Sequence, residues 1–204
     1  MRLDDEARAR RREFLRVALA VPAAALIGAA SDVSAQPKAR PTPACGVPGG
    51  MTEAQTEGPF FRPSSPLRAS LLEPGMGGTR IAVEGAVLGA DCRPIPRALI
   101  DVWQADDRGR YDNSGYRLRG HQFTDDAGRY RLESIVPGVY PGRTRHFHVK
   151  VQAPGQSVLT TQLYFPGEPE NQRDFIFDPD LVMTVRDGGD GKVARFDFVL
   201  NVRS

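Results

Sequence analysis

The sequence predicts an all-β fold, a two-sheet β-sandwich of short mixed strands, and three observations carry that expectation. Gly 21 and Pro 17 among 204 residues force frequent turns and leave few stretches for a long helix. From residue 80 onward, β-branched segments recur between those turns. No internal repeat suggests a solenoid or propeller, so two packed sheets are the economical way to bury roughly seven or eight strands.

The elements follow in chain order. Residues 1–35 read as an address rather than as part of the fold. Arg10-Arg11-Arg12-Glu13-Phe14-Leu15 precedes an Ala-rich apolar run from Val17 to Ala30, with small residues near Val33-Ser34-Ala35 where cleavage is expected. Arg11-Arg12-Glu13-Phe14-Leu15 resembles a twin-arginine export motif, which implies the twin-arginine translocase as a partner and a periplasmic or secreted product. The run is broken by Pro22 and falls short of the ~20 residues that span a bilayer, so no stable membrane insertion is expected after cleavage. Residues 36–50 lack apolar periodicity and are rich in Pro and Gly, as in a linker or an extended arm. An oxidising compartment would permit Cys45 and Cys92 to bridge this arm to the domain, and the alternative is two unrelated thiols.

The folded domain is expected over 51–204. Short helical turns are expected only within 52–57 and 65–73. Strands are expected over 80–88, over 98–104 after the Pro94-Ile95-Pro96 turn, and over 128–133, 146–152 and 158–165. A last pair, 182–185 and 194–199, flanks the hairpin connection Asp187-Gly188-Gly189-Asp190-Gly191.

Charge and cysteine content narrow the function classes. Lys+Arg 27 against Asp+Glu 25 gives a net charge of +2, with basic residues scattered, so no nucleic-acid footprint is visible. Two cysteines are too few for a disulfide scaffold or a four-cysteine zinc site. Catalysis or small-ligand binding remains.

Two of the three histidines form His146-Phe147-His148. On a strand both imidazoles share one face while Phe147, Val149 and Val151 take the other, so one face is core and the other offers two nitrogen ligands. A lone histidine is more often a satisfied polar or surface residue, but this pairing is a metal-binding signal. A zinc hydrolase would want a third His or a carboxylate, and neither is nearby in sequence. Tyr140 stands six residues upstream of His146, before Pro141, in a turn-rich loop that leads into the histidine strand. Phenolate is a hard anionic donor, and imidazoles with phenolates suit ferric iron better than a soft metal.

Several motifs now share one order. They include Thr56-Glu57-Gly58-Pro59-Phe60-Phe61, Val102-Trp103-Gln104-Ala105, Gly109-Arg110-Tyr111 and Thr124-Asp125-Asp126-Ala127-Gly128-Arg129-Tyr130. Tyr140-Pro141, Arg143-Thr144-Arg145-His146-Phe147-His148 and Leu159-Thr160-Thr161-Gln162-Leu163-Tyr164-Phe165 complete the set. Over about residues 56 to 200 the chain resembles the intradiol ring-cleavage dioxygenases, Fe(III) enzymes that open catechols between their hydroxyls. The resemblance implies a metal site in loops and strand at one edge of the sandwich, with Tyr111, Tyr140, His146 and His148 as ligands. It implies Tyr140 as the ligand that substrate displaces and that takes a proton, Arg143 as the cation that stabilises charge on the ring, and Gln162 as a supporting group. The implied partners are a catecholic small molecule and O2.

Other readings stand beside these. Tyr116, Tyr130 and Tyr164 are expected to be packing residues, Trp103 core, Arg145 a solvated charge and His121 a loop residue. Gly58-Pro59-Phe60-Phe61 departs from the family's more usual G-P-Y-Y, which removes a hydroxyl and leaves the substrate open. Catechol-type members carry a helical dimerisation region for which the linker leaves no room, so the shorter protocatechuate-type fold is expected, with an oligomer still possible. The strand and turn motifs also resemble exported, non-catalytic prealbumin-like binding modules. The histidine and tyrosine set separates the two, because a binding module has no use for it.

Overall fold

In the computed structural model, residue 45 and residues 50–202 are described; the expected export signal and most of the linker lie outside them. The described strands are β1 (Arg80–Gly89), β2 (Leu99–Trp103), β3 (Arg119–Phe123), β4 (Arg129–Ile135), β5 (His146–Gln152), β6 (Leu159–Tyr164), β7 (Thr184–Gly188), β8 (Gly191–Arg195) and β9 (Phe198–Leu200). One sheet has the order β4-β1-β8-β7 with β9 also beside β1, and the other has the order β3-β2-β5-β6. The mixed two-sheet sandwich is therefore as expected.

Alternation of side chains builds the core. Ile100, Val102, Phe147, Val149, Val151 and Leu163 from one sheet meet Ile81, Val83, Val87, Leu132 and Phe198 from the other, all buried. Each such side chain stabilises the fold by about 1.5–3 kcal/mol on transfer from water. The opposite face of β3-β2-β5-β6 carries residues of the other parity. Direct cross-strand partners align Arg119, Trp103, His148 and Gln162 in one row, and His121, Asp101, Lys150 and Thr160 in the next.

The row with Arg119, Trp103, His148 and Gln162 is buried and the next is half-buried, and the segment that covers them corrects the expectation of helical turns at 52–57 and 65–73. Both segments are extended. Gln55 N–H donates to Thr160 O at 2.8 Å, and Thr52 N–H to Val199 O at 2.9 Å. Arg68 N–H then donates to His121 O at 2.8 Å on β3, and Leu71 N–H to Glu133 O at 2.8 Å on β4. Residues 66–71 thus pair with the free edges of both sheets, which leaves no backbone groups for a helix. The helical pieces lie elsewhere, as short 3₁₀ turns at Pro169–Gln172 and Pro179–Leu181.

Two further boundaries differ from expectation. The strand expected at 194–199 is split into β8 and β9 with the register on β1 unchanged, Glu84 beside Arg195 and Val87 beside Phe198, and the gap lies opposite Gly85. A Cβ there would meet Phe196 O at 1.8 Å, and Asp197 Oδ1 accepts from Ala86 N–H at 2.8 Å in the gap. The hairpin partner runs over 184–188 rather than 182–185, since Gly188 pairs with Gly191 around a two-residue turn. Cys45 and Cys92 form a disulfide with a Cα–Cα distance of 5.1 Å.

Candidate metal centre

His146 and His148 occupy the outer face of β5, as the H-x-H pattern requires, yet both are buried beneath the covering segment. Their Nε2 atoms lie 3.1 Å apart. Thr144 O is 2.7 Å from His146 Nδ1, so that nitrogen carries the proton and Nε2 offers its lone pair. Two nitrogens held by one ion at about 2.1 Å each, near a right angle, lie about 3 Å apart, which the observed spacing satisfies. Burial, reinforced by the Arg143 cation, pushes His146 down to about 4. Burial lowers His148 as well, with His146 and Arg143 acting in the same direction. Both imidazoles are therefore neutral donors at physiological pH.

The two tyrosines arrive from loops. Tyr111 follows Gly109, whose φ of +75° and approach to Val139 O, at 2.2 Å from a built Cβ, exclude a side chain. Tyr140 sits in the turn closed by Arg143 N–H to Tyr140 O at 3.0 Å. Ring centroids are 5.9 Å apart for Tyr111 and Tyr140, 5.7 Å for Tyr140 and His146, 4.7 Å for the two histidines, and 6.1 Å for His148 and Tyr111. The four rings close on one another.

The Tyr111 hydroxyl is buried without a hydrogen-bond partner. Burial, then the neighbouring Tyr140, raises its pKa far above the ordinary phenol value, so it stays neutral until a strong local cation compensates. Among the described residues no three His, Cys, Asp or Glu side chains converge, so the phenols are needed to complete a donor set. Two imidazole nitrogens and two phenol oxygens fit a hard, multivalent ion.

Arg143 links this ring to its surroundings. Its guanidinium donates to Tyr140 Oη at 3.3 Å, to Asp174 Oδ2 at 3.0 Å, and to Gln162 Oε1. Gln162 is itself fixed by donating to Thr56 O at 2.9 Å. Asp174, fully buried, also accepts from Thr144 N–H at 3.0 Å. All six residues expected from sequence are thus brought together.

Trp103 is buried as expected of a core residue, and its ring is stacked on His148 at 4.8 Å and 5°. Other expectations need correction. His121 lies on β3, where Ser65 Oγ is 3.1 Å from its Nδ1 and donates to Asp101 Oδ1 at 2.8 Å. Arg145 is partly covered and pairs with Glu168 at 3.0 Å while donating to Pro137 O at 2.8 Å, which ties down the Tyr140 loop. Tyr130 and Tyr164 are buried packing residues, as expected. Asp174 and Arg119 escaped sequence reasoning, since an isolated Asp and one Arg among many carry no local signal.

The profile of the family described as "Dioxygenase" matches residues 56–202. The chain belongs to the dioxygenase family. This dioxygenase-family chain is 33% identical over 153 residues to a hydroxyquinol 1,2-dioxygenase of Nocardioides simplex, covering 63% of the chain and 52% of that protein. It is 34% identical over 137 residues to a protocatechuate 3,4-dioxygenase beta chain of Burkholderia cepacia, covering 58% and 57% of the two. The chain spans about half the length of the curated relatives it matches. Among solved structures, it resembles the dioxygenase domain of a dioxygenase and carbohydrate-binding protein fusion from the cellulolytic bacterium Streptomyces sp. SirexAA-E. That match has a TM-score of 0.74 and 55% identity, and covers 75% of this chain and 99% of the other.

Proposed function

We propose that this dioxygenase is a non-haem Fe(III) intradiol enzyme. It inserts both atoms of O2 into a catechol-type aromatic and yields a muconic acid-type product, as a step of aromatic catabolism. One observation carries the reading: two buried imidazoles, their Nε2 atoms facing each other, close into a single ring with two tyrosines, and the buried Tyr111 hydroxyl has no hydrogen-bond partner. The family membership supports it and gives no support to a prealbumin-like binding module.

Tyr111, Tyr140, His146 and His148 would hold the ion. Ferric iron, when bound, supplies the Lewis acidity that ionises a catechol and the electronic coupling through which ring and O2 react. The protein's own residues divide the remaining work. Phe60 stacks on Tyr111 at 4.2 Å and 14°, so this tyrosine is wedged in place. Tyr140, on a turn and in contact with the Arg143 cation, is the one free to swing away and take a catechol proton at its Oη. Arg143 then presents positive charge to the oxyanion of the substrate, in a site screened from water, while Gln162 and Asp174 fix its orientation.

Export to the periplasm or beyond, by the twin-arginine translocase, belongs to the same proposal. The disulfide between Cys45 and Cys92 supports it, because such bonds persist in oxidising compartments.

The visible spectrum and iron content of the purified protein test the site. A coloured protein with roughly one iron per chain is expected, from tyrosinate-to-Fe(III) charge transfer, with a band that shifts on adding catechol. Tyr111→Phe and His148→Ala bleach it. A protein that stays colourless after reconstitution with ferric or ferrous iron overturns the reading.

A further inference from the structure

Arg119, on β3, is a buried cation to which the reaction as described gives no task. Its residue is 1% exposed. Its guanidinium donates to main-chain carbonyls rather than to a carboxylate: to Phe60 O at 2.6 Å, and to Asp112 O at 2.9 and 3.3 Å. Burying a cation without a paired anion costs several kcal/mol, so the contacts it makes must be of structural consequence.

Those contacts lie on both sides of Tyr111. Asp112 is the residue directly after it, and Phe60 is the residue whose ring is stacked on it. The Tyr111 hydroxyl has no hydrogen bond of its own and the loop around it has no regular structure. Its position therefore depends on the stack and on whatever holds the two backbones together. Arg119 is the buried link, while nearer the surface Arg62 donates to Asn113 O at 2.8 Å and Tyr116 Oη to Pro63 O at 3.0 Å. It also shares the cross-strand row with Trp103 and His148, and Trp103 is stacked on the His148 ring. The guanidinium thus ties the tyrosine loop to the strands that carry the histidines.

We propose that Arg119 is the positioning residue of the metal centre, clamping the Phe60 and Asp112 carbonyls so that Tyr111 is preset against His148. The proposal rests on Tyr111 and His148 being ligands of the same ion. A fork with several planar donors can hold both carbonyls, whereas an ammonium holds them less well.

The test compares wild type, Arg119→Lys and Arg119→Met as full chains, by circular dichroism, ferric-ion titration and the charge-transfer spectrum. Arg119→Met is expected to keep the β-sheet signal while losing iron affinity by about 10- to 100-fold, with a displaced band in the iron that remains. Arg119→Lys is expected to recover part of both. A folded Arg119→Met that melts earlier but binds iron with wild-type affinity and an unchanged band overturns the clamp. If Arg119→Met does not fold, Arg119→Lys decides: a displaced band supports the clamp, and an unchanged band with unchanged affinity overturns it. A colourless wild type would instead overturn the dioxygenase reading itself.

Discussion

Asp174 illustrates how much one side chain can carry. It is fully buried, and its carboxylate receives Arg143 and the Thr144 amide on one oxygen and the Ile176 amide on the other. Asp174→Ala leaves the largely buried Arg143 guanidinium without its counter-charge, so unfolding in urea is expected to show a loss of about 3–5 kcal/mol. Turnover should fall too, since Arg143 is then free to leave Tyr140. Gly58 acts through shape instead. Its φ of +69° is one that L side chains rarely adopt, and a methyl group would sit 3.4 Å from His148 Cε1. Gly58→Ala is expected to cost about 1–2 kcal/mol, read as a lower melting temperature.

At the scale of elements, loops rather than strands bring the tyrosines to the histidines, and the loops are held by local clamps. Asp106 receives the amides of Arg108 and Arg110 and the Arg110 guanidinium, at 2.9 to 3.1 Å. Burial alone would raise its pKa, but these hydrogen bonds and the Arg110 charge outweigh it and hold the carboxyl below the ordinary 3.8. In acid the unfolded chain therefore takes up this proton before the folded one does. The stabilisation is complete above the ordinary carboxylate range and is lost as pH falls through the folded-state value. Asp106→Asn should accordingly be less stable at neutral pH and show a flatter loss of stability in acid, measured by thermal melts across pH. The covering segment is held in a similar way, by Lys150, which pairs with Glu57 and lies 4.0 Å above the Phe61 ring. Lys150→Ala is expected to loosen residues 56–61, seen as faster amide exchange there, with the strands beneath unaffected.

For the molecule as a whole, the sandwich buries one face of each sheet, while the outer face of β3-β2-β5-β6 gains its burial from the chain before β1. That third layer buries two histidines that would otherwise face solvent. The disulfide closes a separation of 47 residues, from Cys45 to Cys92. Its reduction is expected to cost up to about 4 kcal/mol on a loop-closure account, measured as a drop in melting temperature with reductant that Cys45→Ser reproduces.

The sandwich class was legible because alternation and turn residues are local signals. The segment 146–152 reads as a strand with both histidines on one face, and β5 has those bounds. The candidate donor set was legible only through the resemblance of several ordered motifs to the intradiol ring-cleavage dioxygenases, and its four rings do meet in the fold. Strand β3 was not legible, since Arg-Gly-His-Gln-Phe has neither β-branching nor apolar alternation, and only pairing with β2 makes it a strand. The extended course of 66–71 was hidden for the same reason, being dictated by two sheet edges far away in sequence. Sequence by itself determined which faces could form and which donors were present. Tertiary structure alone decided the burial of the histidines, the stack of Trp103 on His148, and the grip of Asp174 and Arg119. Each of those joins residues distant in the chain, whose encounter depends on long-range packing that no local pattern records.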